Sequence, residues 1–380
     1  MLPPLPRPLR VLHVVNDLRI GGAEVLVRNV AARLNAEGDV EAALTALQPN
    51  PTFLEESVRA DGLSFEAHPS EWGFYSVRHV KRLAARMRGF DVVHVHLFPA
   101  QWWAALAWRS LPRRDRPVLV TTEHNTENRR RKPWFRPVDR WMYAHYHRLV
   151  GVSPLTGKRL EEWLGLPAGA VAVIPNGIDV DRFAQASAAP RSDLPGLPTA
   201  ARLLLCVGRL EPQKDQATLL RALPLLPDDH HAALVGDGPL RGDLEALAAS
   251  IGVAERVHFL GRRPDIPALL KTADVYVQPS RFEGWSLALL EAMASGAAPI
   301  VAADAPGLSE AVSGDRGWLF PVGDPEALAA AVRAATAEDA EATRRIAAGR
   351  QYADGFRLER CAEAHLSLYR ELPGRTDSAR

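Results

Sequence analysis

Residues 10–38 read RVLHVVNDLRIGGAEVLVRNVAARLNAEG. A short apolar run gives way to a polar turn with two glycines, then to a segment of period 3.6. Leu26, Val30 and Leu34 fall on one face of that segment, and Gly38 stands where a helix would end. Strand, turn and helix in that order form the repeating unit of a parallel sheet. The unit recurs along the chain. RVLHVV, VEAALTAL, DVVHVHLF, VLVTTEH, RLVGVS and VAVIP are the apolar runs of the first half, and RLLLCVGR, HAALVGDG, VHFLG, DVYVQPS and APIVAAD those of the second. Near-continuous apolar runs of this kind suit strands covered on both faces.

Two such series predict an α/β protein of two doubly wound domains. The expected boundaries are 1–178, a linker at 179–200, and 201–380, with the C-terminal helix able to pack back on the first domain. The linker contains DVDRF and the low-complexity AQASAAPRSDLPGLPTA. Residues from Glu338 to Tyr369 read as helices and the last ten as a frayed end. Open parallel sheets bind ligands at the carboxyl ends of their strands. With two of them, the expected site is a cleft where they face one another.

The totals fit this picture. A chain of 380 residues exceeds one ordinary core. The net charge of +1 hides 24 Lys and Arg against 17 Asp and Glu in residues 1–178, and 22 against 28 in the remainder. That asymmetry is too mild for nucleic acid but allows an anionic partner on the first half. Cys206 and Cys361 are the only cysteines, too far apart in sequence to suggest a disulfide framework. The proline-broken start, MLPPLPRPLR, reads as neither signal peptide nor anchor. No run reaches the ~18 apolar residues of a spanning helix. The expected location is the cytoplasm, with contact at the inner face of the cell membrane.

Several motifs carry chemistry. In CVGRLEPQKD, Arg209 and Lys214 put two cations in a loop after a strand, which suits a diphosphate or two solvated charges. Gly21 and Gly22 open a helix where backbone N–H groups can approach an anion, or simply turn the chain. GDGPLRG is no dinucleotide fingerprint, because Arg241 holds the third glycine position; a dehydrogenase loses support. His94 and His96 share one face of a strand. A metal pair there lacks a third ligand at a convincing spacing, so His96 is expected to contact substrate and His94 to pack. His124 ends another strand, with Asn125 beside it, and suits hydroxyl contact or proton handling. Asp179 and Asp181 read as solvated carboxylates. In SRFEGWSLALLEAMASG (280–296), Glu291 falls inside an apolar helix and must find a partner, either protein or ligand.

Two basic stretches with aromatics invite comparison with an anionic interface. In residues 75–90, Val77, Val80, Leu83, Ala84 and Met87 at helical spacing favour a helix that covers its own sheet. Residues 129–148, with Trp134, Phe135, Trp141 and Tyr143 among cations, favour an interface or an anionic acceptor.

In order along the chain, GG after the first strand, VIPNGID, VGRLEPQKD, LVGDGPL, VHFLGRRPD and PSRFEGWSLALLEAMASGAAPIVAADAPGLSE resemble the retaining glycosyltransferases of family 4, which have the GT-B fold of two facing Rossmann-like domains. The resemblance spans roughly residues 10–320. It implies that Arg209 and Lys214 hold the diphosphate of a nucleotide-sugar donor, that Glu291 binds the ribose and that Glu283 binds the transferred sugar. It places the backbone of Gly284, Trp285, Ser286 and Leu287 against sugar and phosphate, Arg262 near the base, Gly236 in the donor site, and Gly21 and Gly22 over the phosphates. His96, His124 and Asn125 would face the acceptor. Arg209, Lys214, Glu283 and His124 would carry catalysis without metal or cofactor. Ser286 departs from the glycine or proline of many relatives, a difference that bears on donor shape. The implied partners are a nucleotide-sugar donor, UDP-linked before GDP-mannose, and a lipid-linked or otherwise anionic hydroxyl acceptor. A nucleotide-sugar epimerase of the same architecture and a two-lobed sugar-binding protein are the competing readings.

Overall fold

The computed structural model describes residues 7–19, 21–38, 40–126, 128, 130–337 and 340–372. Arg129, Glu338 and residues 373–380 of the expected frayed end lie outside them. The chain divides into two compact units, Met1–Gly177 with Leu358–Arg380, and Ile178–Arg357.

The first unit runs β1 (Leu9–Val15), α1 (Gly22–Ala36), β2 (Val40–Ala46), α2 (Phe53–Ala60), β3 (Ser64–Ala67), α3 (Arg78–Met87), β4 (Val92–His96), α4 (Ala100–Ser110), β5 (Val118–Glu123), α5 (Arg136–Tyr143), β6 (Arg148–Gly151), α6 (Pro154–Leu164) and β7 (Val171–Val173). Its seven parallel strands lie in the order β3-β2-β1-β4-β5-β6-β7. Leu12, Val14, Val93, Val95 and Leu119 form one buried face with Leu83, Met87 and Ala104 of the covering helices. Local signals set the helix ends. Ser153 Oγ accepts from Thr156 N at 3.1 Å to start α6, and Gly165 closes it at φ 73°.

The second unit runs α7 (Val180–Ala184), β8 (Arg202–Val207), α8 (Gln216–Ala222), β9 (His230–Val235), α9 (Arg241–Ser250), β10 (Val257–Gly261), α10 (Ile266–Thr272), β11 (Val275–Gln278), α11 (Leu287–Ser295), β12 (Ile300–Ala303), α12 (Ser309–Val312), β13 (Trp318–Phe320), α13 (Pro325–Ala335) and α14 (Ala340–Ala353). Six parallel strands lie in the order β10-β9-β8-β11-β12-β13. The last helix, α15 (Leu358–Arg370), belongs to the first unit and packs along α1, burying Cys361, Ala362, Leu366 and Tyr369.

The segment expected as a linker belongs to the second unit and is packed against it. Val180, Phe183 and Leu194 are buried, and Thr272 Oγ1 donates to Ala189 O at 2.9 Å. Asp179 accepts from Arg182 N at 3.1 Å to cap α7, and Asp181 pairs with Arg357 at 2.8 Å.

Each strand order reverses once, between β1 and β4 and between β8 and β11. At such a switch point the loops on either side separate and leave a crevice at the carboxyl ends of the strands.

Candidate functional site

The second unit's switch point gathers most of the residues marked by sequence. Lys214, on the loop after β8, lies 2.7 Å from Glu283 Oε1, on the loop after β11. Gln278 Nε2 donates to the same oxygen at 3.0 Å and Gln213 Nε2 to Phe282 O at 2.9 Å. Glu283 is buried, so its charge is tolerated because lysine and amide donors converge on it. Removing Lys214 would leave that charge uncompensated, at a cost of about 3–5 kcal/mol. Two glycines bring the loops this close. A Cβ at Gly307 would strike Glu283 O, and one at Gly236, at φ 135°, would strike Gly208 O. Cys206 lies buried near the pair, its thiol pushed up to about 12 by burial, and stays protonated.

Arg209 pairs with Glu211 at 2.6 Å, both about one-third exposed. Arg262 extends toward solvent, 3.7 Å from Asp237. Gly284, Trp285, Ser286 and Leu287 lead into α11. Ser286 caps it, accepting from Leu289 N at 3.3 Å while exchanging hydrogen bonds with Gln278 at 2.9 and 3.1 Å. A serine at this position is therefore explained by the helix start it stabilises. Trp285 packs against Phe356 with the rings tilted, their centroids 4.9 Å apart.

Glu291 sits on α11 with no hydrogen bond or ion pair to it among the described residues. Burial pushes its carboxyl up to about 7, and only the charge of Arg182 pulls the other way. The helix that holds it is otherwise apolar, with Leu289, Leu290 and Met293 buried.

The first unit's switch point holds a cluster that sequence reasoning saw only in part. His13 on β1 is in register with His94 on β4, and His96 with Thr122 on β5. Residues paired across parallel strands point to the same face, so His13, His94, His96 and His124 converge. His13 Nδ1 lies 3.2 Å from His96 Nε2, and His96 Nδ1 lies 3.0 Å from His124 Nε2. His94 uses both nitrogens elsewhere, on Tyr369 OH at 2.6 Å and Thr122 Oγ1 at 2.7 Å. His365 of α15 completes the group, its Nδ1 donating to Cys361 O one turn back at 2.8 Å. A small cavity opens here, lined by His13, His96, His124, His365 and Asn176. Burial holds His13 and His124 down at about 3, His94 and His96 well below their ordinary value and His365 below it, so all are neutral near pH 7.

His13, which in sequence merely interrupts an apolar run, was the missed residue. Its parity with His94 and His96 is the signal, visible once β1 and β4 are neighbours. Nitrogens of His13, His94 and His96 come within 4.8 Å of one another, a grouping that a divalent ion could exploit. His94, however, already spends both nitrogens, so serving as a third ligand would cost it one of those hydrogen bonds. His96 is likewise saturated by its neighbours, which leaves it no free nitrogen for the substrate contact expected of it. Gly21 caps α1 in extended geometry, with Gly22 as its first residue, and the Glu24 carboxylate folds back over Gly21. An anion at that helix start meets a like charge.

The basic stretches divide differently from expectation. α3 buries His79, Leu83, Ala84 and Met87, but Val77 precedes it and is 74% exposed, as are Trp72 at 76% and Tyr75 at 69%. In the second stretch Tyr143 is buried and donates to Glu123 Oε2 at 2.9 Å, and Arg130 pairs with buried Asp139 at 3.0 Å. Among the described aromatic residues there Trp134 is the most exposed, 72%, with Lys132 over its ring. No described helix is long and apolar enough to cross a membrane.

Comparison with known proteins places this geometry. Residues 20–182 match the model of Glycosyltransferase Family 4, and residues 201–338 that of Glycosyl transferases group 1. Over 342 residues the chain is 31% identical to phosphatidyl-myo-inositol mannosyltransferase of Mycobacterium leprae, covering 87% of each chain. It is 33% identical to glycogen synthase of Mycobacterium tuberculosis over 275 residues, 69% of this chain and 64% of that one. The fold superposes on Anabaena HepE, solved with UDP and glucose, with a TM-score of 0.82 over 96% of this chain and all of the other, at 20% identity. Two parallel sheets with these switch points and these matches have one reading: the chain is a glycosyltransferase of family 4 with the GT-B fold.

Proposed function

We propose that the chain transfers a hexosyl or N-acetylhexosaminyl group from a nucleotide-diphosphate sugar to an acceptor hydroxyl with retention of anomeric configuration, in the assembly of a cell-surface polysaccharide or glycolipid. The observation that carries this reading is the pairing of Lys214 with buried Glu283 beside Arg209 and the capped start of α11. The hard step is departure of a diphosphate as negative charge builds on it. Arg209, Lys214 and the start of α11 supply positive field, the helix contributing roughly half a unit charge. A diphosphate that takes over Lys214 frees Glu283 to accept from hydroxyls of the sugar. Ribose hydroxyls donating to Glu291 would satisfy a carboxylate that otherwise has no partner among the described residues. Arg262 lies near the base, and Gly236 closes the donor loop.

The departing phosphate oxygen takes the acceptor proton on the same face, and no covalent nucleophile is assigned. His124 and Asn125 serve the acceptor. UDP comes first among donors because HepE was solved with it, and a mannosyl donor second because of the mycobacterial relative. That relative's lipid acceptor, with exposed Trp134, Trp72, Tyr75 and Val77, supports an acceptor held at the inner face of the cell membrane. The test is transfer from UDP-, GDP- and ADP-sugars to hydroxyl acceptors in the presence of EDTA, with the product anomer read by proton NMR. A retained anomer is expected. An inverted product, or conversion of donor to its epimer without acceptor, would overturn the reading.

A further inference from the structure

Three of the buried rings do more than pack. His96 sits between His13 and His124 with one nitrogen toward each, at 3.2 and 3.0 Å. A neutral imidazole has one N–H and one lone pair. The two bonds must therefore run head to tail. If His124 donates from Nε2 to His96 Nδ1, then His96 donates from Nε2 to His13 Nδ1, and all three rings carry the Nε2 proton. Reversing the direction puts every proton on Nδ1. No mixed pattern satisfies both bonds. The outer atoms, His13 Nε2 and His124 Nδ1, are buried without a hydrogen-bond partner among the described residues, and both residues line the same small cavity. The ring of His94, fixed by Tyr369 and Thr122, lies against His96 at 4.2 Å and holds the middle member in place.

We infer that His13 and His96 are positioning residues for His124: one hydrogen-bonded row of imidazoles carries a single tautomer throughout, and that tautomer decides whether His124 presents a lone pair or a proton at Nδ1. The role assigned to His124 toward the acceptor rests on the transferase reading above. There the useful state is Nε2-protonated, because His124 Nδ1 then accepts from a hydroxyl of the acceptor other than the one whose proton passes to the departing phosphate. Strong desolvation of all three rings keeps the row neutral, so the row orients His124 without storing charge. His13, a full ring away, acts on His124 only through His96.

Long-range proton–nitrogen correlation NMR on the full chain with nitrogen-15 in its histidines tests this without turnover. The expected wild-type spectrum at neutral pH shows His13, His96 and His124 neutral and in the same tautomer. Mixed tautomers among the three overturn the proposal. In His96→Phe, His13 and His124 should choose tautomers independently, and kcat should fall about 10-fold or more while the donor KM stays within about twofold. An unchanged His124 tautomer with unchanged kcat in that variant also overturns it. Should His96→Phe not fold, His13→Phe and the wild-type spectrum decide the same question. A uniform tautomer in a chain that transfers no sugar would sink the transferase reading and leave the coupling standing.

Discussion

The two switch points solve one problem in opposite ways. The first unit fills the carboxyl ends of β1, β4 and β5 with neutral histidines that bond to one another, away from water. The second fills the equivalent place between β8 and β11 with paired ions, Lys214 with Glu283 and Arg209 with Glu211, at the edge of solvent. Neutral groups orient a hydroxyl without competing for charge. Ions that are only provisionally paired exchange partners when an anion arrives. The difference shows that parallel sheets fix where a site lies, while the residues at the strand ends and on the loops that follow fix its chemistry.

Acid should break the comparison most severely. His13 and His124, held at about 3 when folded against 6.5 ordinarily, take up protons only on unfolding. Stability present above pH 6.5 is therefore lost as pH falls toward 3, by about 1.4 kcal/mol per pH unit per histidine. Hydrogen exchange should show the first unit opening before the second between pH 6 and 4, and His13→Phe should flatten the slope. Next comes turnover. Arg209→Ala should lose at least ~10²-fold in kcat while staying folded, the cost of a preorganised positive group. Near-normal turnover would remove Arg209 from the chemistry.

Glu291 sharpens the contrast from the alkaline side. Its folded value of about 7 lies above the ordinary 4.5, so the folded state holds a proton that the unfolded chain gives up between them. Stability is greatest below pH 4.5 and falls as pH rises through 7, the reverse of the histidine unit. Glu291→Gln should raise the stability of the unliganded protein at pH 8 by about 3 kcal/mol, read from denaturant melts, while weakening donor binding. The smallest effect is expected at the surface. Trp134→Ala should reduce sedimentation with anionic vesicles at low salt by less than ~1 kcal/mol in affinity and leave transfer to a soluble acceptor unchanged.

Much of this was legible in sequence, and the gaps have physical causes. Long buried strands such as RVLHVV and DVVHVHLF declare themselves by apolarity. β3 (SFEA) and β13 (WLF) do not, because edge strands of three or four residues are covered on fewer sides. Lys214, Glu283 and Glu291 stood out as charges in unlikely company. Their neighbours Gln213 and Gln278 did not, since an amide is unremarkable until the carboxylate it serves is placed. The histidine row needed register: His13 lies 83 residues from His96, and only the β1–β4 pairing puts them on one face. Tyr369 and His365 needed the return of α15 to the first unit, which no local pattern announces.

The central claim is that the β8/β11 crevice holds a nucleotide diphosphate through Arg209 and Lys214. Isothermal titration of the wild type and Arg209→Ala with UDP-, GDP- and ADP-sugars tests it most directly. The account predicts saturable binding of at least one of them to the wild type, weakened about 10-fold or more in the variant. No binding by any of the three, or equal affinity in both proteins, would contradict it.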